Sequence, residues 1–248
     1  MTPIGRAIVA AGTLALAGLA ASEVQGQGAP RDFALEQRGR GREDDFRRAD
    51  IAAIVAAELA FAREAQEKGQ WTAFAKHAAK DAVMFVPQVV NAQDWLKGRA
   101  NPPQAVRWQP HQVWSSCDGS LAVTKGAWQR PDGSVGYFTT VWARQQKKKD
   151  GYRWVLDQGD ALAEPLAAPE MIAGKVANCA PAPEWSNEQA DWEANSEAAE
   201  ASVGSGESGD GTLAYRYRVF ASGAREIEVF LLTNGKMEQV LHSQVAAE

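Results

Sequence analysis

Two Asp-Gly pairs, Asp132-Gly133 and Asp150-Gly151, separate three long strand-like runs in the middle of this 248-residue chain. Asp-Gly between such runs is the strongest short-range hairpin signal, because a tight turn needs positive φ. The runs are Leu121 to Gln129, Val135 to Gln146 and Tyr152 to Gln158. Two hairpins in succession specify an antiparallel meander. Its Trp114, Trp128, Trp142 and Trp154, with Tyr137 and Phe138, carry too much aromatic surface to stay wet. One face therefore needs a cover, and the helical stretch from Asp50 to Lys80 is the candidate.

If Asp132-Gly133 is a two-residue turn, Trp128 lies opposite Tyr137, Val123 opposite Trp142 and Thr124 opposite Val141. Thr124, Gly126 and Trp128 then share a face with Tyr137, Thr139 and Val141, while Phe138, Thr140, Trp142 and Arg144 take the other. The same arithmetic through Asp150-Gly151 sets Arg144 against Asp157. A slip of one residue exchanges the faces.

Ahead of the meander, Ile51, Ile54, Val55, Leu59 and Ala62 follow the spacing of one buried helical stripe. Glu58 falls on that stripe, so it either reaches solvent at the edge or faces an internal cavity. Lys68-Gly69 ends the helix. Trp71, Phe74, Ala75 and Ala78 predict a second short helix with His77 beside its apolar side. Val83 to Val86 reads as a strand closed by Pro87. Asn101-Pro102-Pro103 breaks the chain again, and Val106 to Ser115 alternates as a further strand despite Pro110.

The termini read differently. Arg6 followed by the apolar run Ala7 to Ala21 has the form of a secretory signal, so residues 1–26 are expected to be removed on export to the periplasm or medium. The run is too short and small-sided for a stable membrane anchor. Residues 27–45, rich in Gly, Gln and Arg, read as a disordered lead-in, and residues 46–165 as the main domain. Residues 166–211 hold a net charge of −8 out of −5 for the whole chain, leaving +3 elsewhere, and read as an acidic linker. Residues 212–248 predict a three-stranded β unit with turns at Ser222-Gly223 and Asn234-Gly235, packed on the main domain or on a second copy. A total of −5 gives no general attraction to nucleic acid. The two cysteines, Cys117 and Cys179, suggest a disulfide in an exported protein, closing a loop of about 60 residues for about 3–4 kcal/mol.

A helix pair, a short strand, an irregular link and a long curved meander is the element order of the SnoaL-like, nuclear-transport-factor-2-like superfamily. The resemblance spans roughly Phe46 to Asp160. It is carried by Glu58 to Phe85, with Phe74 and Asp81-Ala82-Val83, and by the strands around Gly126, Gly136-Tyr137, Val141-Trp142 and Trp154. It implies an α+β fold in which a cone-shaped antiparallel sheet wraps N-terminal helices around a pocket, here with a small C-terminal antiparallel extension. The superfamily includes ketosteroid isomerases, polyketide cyclases, dehydratases and domains without known activity, and members often dimerise through the outer sheet face. On this scaffold Trp71, Phe74, Phe85, Trp108, Trp128, Tyr137, Trp142 and Trp154 are expected to line the pocket.

An isomerase-type site needs a carboxylate base and donors around an oxyanion in an apolar pocket. Glu58, His111 and Asp157 are the candidate catalytic residues, with Asp160 and Tyr137 as further parts, but none matches the isomerase pattern residue by residue. A His/Asp dyad of cyclase or dehydratase type would pair His111 with Asp157 or Asp160. The three histidines, His77, His111 and His242, lack metal-ligand spacing, and no phosphate loop, dinucleotide fingerprint or nucleophile elbow occurs, so no metal or cofactor is expected. The sequence thus supports an exported domain binding a small apolar or aromatic molecule. An isomerase, cyclase or dehydratase is the first alternative, and a homodimerising module with a filled cone the second.

Overall fold

A computed structural model describes residues 48–145, 151–183, 192, 195 and 201–247. The signal-like segment, the lead-in, Lys147-Lys148-Lys149, Trp185 and most of the 184–200 stretch lie outside them.

Helix α1 (Ile51–Lys68) starts where Asp50 Oδ1 accepts the Ala53 N–H at 2.9 Å, a side-chain N-cap, and stops at Gly69. Helix α2 (Gln70–His77) follows at once. Its first N–H groups are capped from far along the chain, by Asn101 Oδ1 at 2.7 Å from Trp71 N and 3.1 Å from Thr72 N. The Asn-Pro-Pro break therefore folds back onto the helix start.

Seven strands form the main sheet: β1 (Ala78–Phe85), β2 (Val89–Asn91), then after the short helix α3 (Ala92–Leu96), β3 (Arg107–Ser115), β4 (Leu121–Gln129), β5 (Val135–Arg144), β6 (Tyr152–Leu162) and β7 (Ala173–Val176). Their order is β2-β1-β6-β5-β4-β3-β7. The β3–β4–β5–β6 meander and the β1–β2 pair are antiparallel, whereas β1 joins β6 and β7 joins β3 in parallel. Irregular register within β3 and between β5 and β6 bends the meander, as bulges do. Strands β8 (Ser202–Glu207), β9 (Leu213–Val219), β10 (Arg225–Thr233) and β11 (Lys236–Val245) make a second, fully antiparallel sheet in the order β11-β10-β9-β8.

The chain thus stacks in three layers. One core joins α1 and α2 to the inner face of the first sheet through Ile54, Phe61, Ala122, Trp142 and Trp154. The other joins the outer face to the second sheet through Val123, Val141 and Leu156 against Leu213, Val229 and Leu231. The C-terminal unit therefore docks on its own main domain, over the face that the sequence reading offered to a homodimer.

The first meander turn holds three residues, not two. Arg130 N–H reaches Ser134 O at 2.8 Å, Gly133 N–H reaches Arg130 O at 3.0 Å, and Gly133 stands at φ +88°. That is a turn closed by a glycine bulge, the next commonest hairpin loop. The register shifts by one: Trp128 faces Gly136, Ala127 faces Tyr137, and Thr124 faces Thr140. Thr124 and Trp142 consequently share the inner face, and Tyr137 lies on the outer one. The second hairpin extends to Gln145 and Gly151, which brings Thr140 opposite Asp157 and leaves Arg144 opposite Tyr152.

Two further elements occupy the stretch read as a linker, and the C-terminal unit has four strands instead of three. Strand β8 looks like a flexible Gly-Ser tract in sequence. In the fold, a Cβ on Gly204 would meet the Tyr217 ring at 2.4 Å and one on Gly206 the Tyr215 ring at 2.6 Å. Glycine is what lets the strand pass beneath those rings. Strand β7 is held by the Cys117–Cys179 disulfide, which joins the β3–β4 loop to the segment following it. Among the described residues no helix is long and apolar enough to cross a membrane. Replacing both cysteines by serine is expected to lower unfolding free energy by about 3–4 kcal/mol in urea melts, and a loss below about 1 kcal/mol would show that the bridge restrains little.

Candidate functional site

The inner core is incomplete. Between the helices and the sheet lies a cavity of about 610 Å³, within the range that holds small ligands. Phe61, Gln70, Trp71 and Phe74 form its helical wall. Trp108, Trp128, Phe138 and Asp157 form the sheet wall. Phe61 packs edge-on against Phe74 and Trp108, with centroids 4.8 Å apart in each pair, so the walls brace each other at one end.

Glu58 lies beside the cavity, between α1 and the inner face of the sheet. The α1 stripe carries it inward, where it is fully buried. Trp108 Nε1 donates to its Oε1 at 2.8 Å, and Thr124 Oγ1 and Trp142 Nε1 donate to its Oε2 at 2.6 Å and 3.0 Å. Burial pushes the carboxyl above its usual range, although all three donors pull it down. Each donor comes from a different strand, β3, β4 and β5, so one side chain pins the helix to the meander and fixes the indole of Trp108 at the cavity wall.

Asp157 faces the cavity itself. Thr140 Oγ1 donates to its Oδ2 at 2.8 Å, and Oδ1 has no hydrogen bond among the described residues. The in-register pair Thr124–Thr140 links the two carboxyls across the inner face, Thr124 donating to Glu58 of α1 and Thr140 to Asp157 of β6. Burial chiefly, with the nearby Glu58, raises the Asp157 carboxyl to about 7 against the lowering bond from Thr140. A group of that affinity is half ionised near neutrality and can accept or release a proton there.

Of the residues expected in the pocket, Trp71, Phe74, Phe85, Trp108 and Trp128 line the cavity. Trp142 and Trp154 are wholly buried behind it. Tyr137 is on the opposite face because of the turn register, its hydroxyl 2.8 Å from Ser243 Oγ in the second sheet. Of the catalytic candidates, Asp157 reaches the cavity and Glu58 supports it. His111 sits in the β3 irregularity and is not among the lining residues, so no dyad with Asp157 or Asp160 forms. Its imidazole is pushed below its usual range by burial alone. Reading by sequence missed Phe61, Gln70, Arg130, Gln158 and Arg225. Phe61 carries a signal, three residues after Glu58 on the same stripe, whereas nothing in the sequence ties Arg225 to the meander.

One metal-ligand grouping occurs among the described residues, Glu226, Glu228 and His242 on the outer face of the second sheet. Arg218 Nε donates to Glu226 at 2.7 Å and Arg216 Nε to Glu228 at 2.6 Å. Both carboxylates are thus already neutralised by fixed cations.

No family model and no curated protein matches the chain. Solved structures do resemble it. A cystatin-like fold protein from Burkholderia xenovorans is 16% identical over 46% of this chain and 92% of that one, with a TM-score of 0.37. A protein from Novosphingobium aromaticivorans, provisionally described as an aromatic ring hydroxylase, is 16% identical over 46% and 90%, with a TM-score of 0.34. One from Parabacteroides distasonis, provisionally described as a ketosteroid isomerase, is 14% identical over 42% and 85%, with a TM-score of 0.34.

A carboxyl raised in the fold binds its proton more tightly there than in the unfolded chain, so the stability it lends is complete below pH 3.8 and is lost as pH rises toward about 7. Asp157→Asn keeps an acceptor for Thr140 and removes that loss. The variant is expected to be nearly neutral at pH 4, and at pH 8 more stable than the parent by on the order of 2–4 kcal/mol. Thermal melts from pH 4 to 8 check this, and parallel profiles for the two proteins would contradict it.

Proposed function

We propose that this protein is exported and binds a small, largely apolar or aromatic molecule in the cavity between its helices and main sheet. The observation that carries the reading is the hollow itself. Seven aromatic side chains face about 610 Å³ that no side chain of the described residues fills. A folded core that could close such a space would gain on the order of 25 cal/mol for each Å² of apolar surface removed from water. Flat rings opposed across a gap suit an aromatic guest by stacking and edge contacts. The signal-like start and the Cys117–Cys179 bridge support export, since such bridges persist in oxidising compartments.

Calorimetric titration of the purified mature protein with neutral fused-ring aromatics of one to four rings tests the reading. Binding is expected to be saturable and to show a negative heat-capacity change. Trp71→Ala and Trp108→Ala are expected to weaken it about tenfold, roughly 1.4 kcal/mol. A panel without any saturable binder would overturn the reading.

A second reading, proton transfer next to a carbonyl, is favoured by one observation: a carboxyl that burial raises to about pKa 7, opening on a cavity walled in part by aromatic rings. Asp157 as carboxylate would take a proton from carbon, leaving an enolate that water reprotonates. In deuterated water, 2-tetralone exchange should then be accelerated by the protein, rise as pH passes about 7, and vanish in Asp157→Asn. Exchange at the buffer rate would remove this reading and leave binding untouched.

A further inference from the structure

The cavity does not end at the inner face of the sheet. Strand β1 keeps company with β6 as far as the Met84–Asp157 pair and then turns into its hairpin with β2. From Gln158 onward β6 has a partner on the β5 side alone. The space left by the departing strand is bounded by Phe85, Val86 and Pro87 on one side and by Gln158, Gly159 and Asp160 on the other. Through it the cavity reaches the second sheet, where Arg225, the first residue of β10, joins the lining.

Two buried nitrogen donors at this end have no partner among the described residues. Gln158 is 5% exposed, and its Nε2 is buried with no hydrogen-bond partner. Arg225 spends Nη2 on Gly159 O at 2.8 Å and stands 3.7 Å from Asp160 Oδ1, while its Nε is buried without a partner. Two oxygens near them also lack a bond among the described residues, Asp157 Oδ1 on the lining and Thr139 Oγ1 on the strand opposite Gln158, but neither is bonded to Gln158 Nε2 or Arg225 Nε. Buried donors normally find acceptors, and leaving each unmade costs about 1–3 kcal/mol. What the two nitrogens lack is an acceptor, and a guanidinium favours a charged, two-oxygen one. Arg130, stacked 4.7 Å from the Trp128 ring at the cavity wall, adds a second positive charge, and Asp160 and Asp157 are the acidic groups that oppose them.

We infer that the C-terminal sheet completes the binding site, with Arg225 and Gln158 holding the carboxylate of an otherwise apolar or aromatic ligand whose rings lie between the helices and the main sheet. This rests on the cavity being a ligand site and narrows its ligand to aromatic or apolar acids. The second sheet then has a role beyond covering the outer face. A separate docking event is unnecessary, because the residue it contributes is fixed by its bond to the β6 backbone.

The test compares carboxylates of one, two and four fused aromatic rings (benzoate, 2-naphthoate and 1-pyrenecarboxylate) with the matching uncharged primary amides and carbinols, by calorimetry at pH 7.5. For the best-fitting ring system the wild-type protein is expected to bind the carboxylate at least about tenfold more tightly than either neutral isostere, a difference of about 1.4 kcal/mol. Arg225→Met should bring that ratio to about one while leaving carbinol affinity within about twofold, and Arg225→Lys should keep part of the preference. Gln158→Leu should lower it by less. Equal affinities in the wild-type protein would mean that water satisfies the donors, and would overturn the inference while the binding site stands. The same holds for a preference that survives Arg225→Met. Should Arg225→Met not fold, the wild-type ratio and Arg225→Lys still decide. Binding of neither acid nor isostere would overturn the cavity reading as well.

Discussion

One buried carboxylate, Glu58, takes hydrogen bonds from three neighbouring strands. A carboxyl placed so deep loses its hydration, which favours the protonated form, and its three donors offset part of that cost. What the arrangement secures is placement. An apolar residue at the same site could slide along the sheet, whereas an acceptor shared by two indoles and a hydroxyl fits one position of α1. The helix is thereby held at a distance that leaves the cavity open, and the indole of Trp108 is turned to serve as wall on one side and donor on the other. Asp157, on the same face, inherits a raised proton affinity from the same water-poor, carboxylate-bearing surroundings.

The second sheet explains why the main one can be so apolar on both faces. Val123, Val141 and Leu156 would leave an open greasy surface if the helices were the sole cover. Capping that face from within the chain makes each polypeptide a three-layer unit. The arginine–glutamate ladder of β9 and β10 then becomes the new outer surface, with Arg216 against Glu228 and Arg218 against Glu226.

Much of this was legible beforehand. The Asp-Gly turns, the helical stripe with Glu58 on it, the alternating Tyr215, Tyr217 and Val219, and the cysteine pair each carry a local rule, and elements follow from local rules. The register did not follow. Pro131-Asp132-Gly133 fits a two-residue or a three-residue loop equally well by composition, and the choice moved Tyr137 out of the cavity and placed Thr124 beside Trp142. The parallel edges β1–β6 and β3–β7, and the strand through Gly204 and Gly206, were hidden for another reason. They depend on partners distant in sequence, which no periodicity reports. Arg225 is the clearest case, since its place at the cavity is a property of how two sheets stack.

Ligand binding requires the cavity to be empty space that a guest enters, and not a gap closed in solution by the surrounding rings. The indole N–H signals of the nine tryptophans, followed in a nitrogen–proton correlation spectrum during titration with 2-naphthoate, report on this directly. Saturable shifts at Trp71, Trp108 and Trp128, with Trp114 on the outer face unmoved, are the predicted result. A spectrum unchanged at saturating ligand, or shifts confined to Trp114 and Trp192, would contradict it.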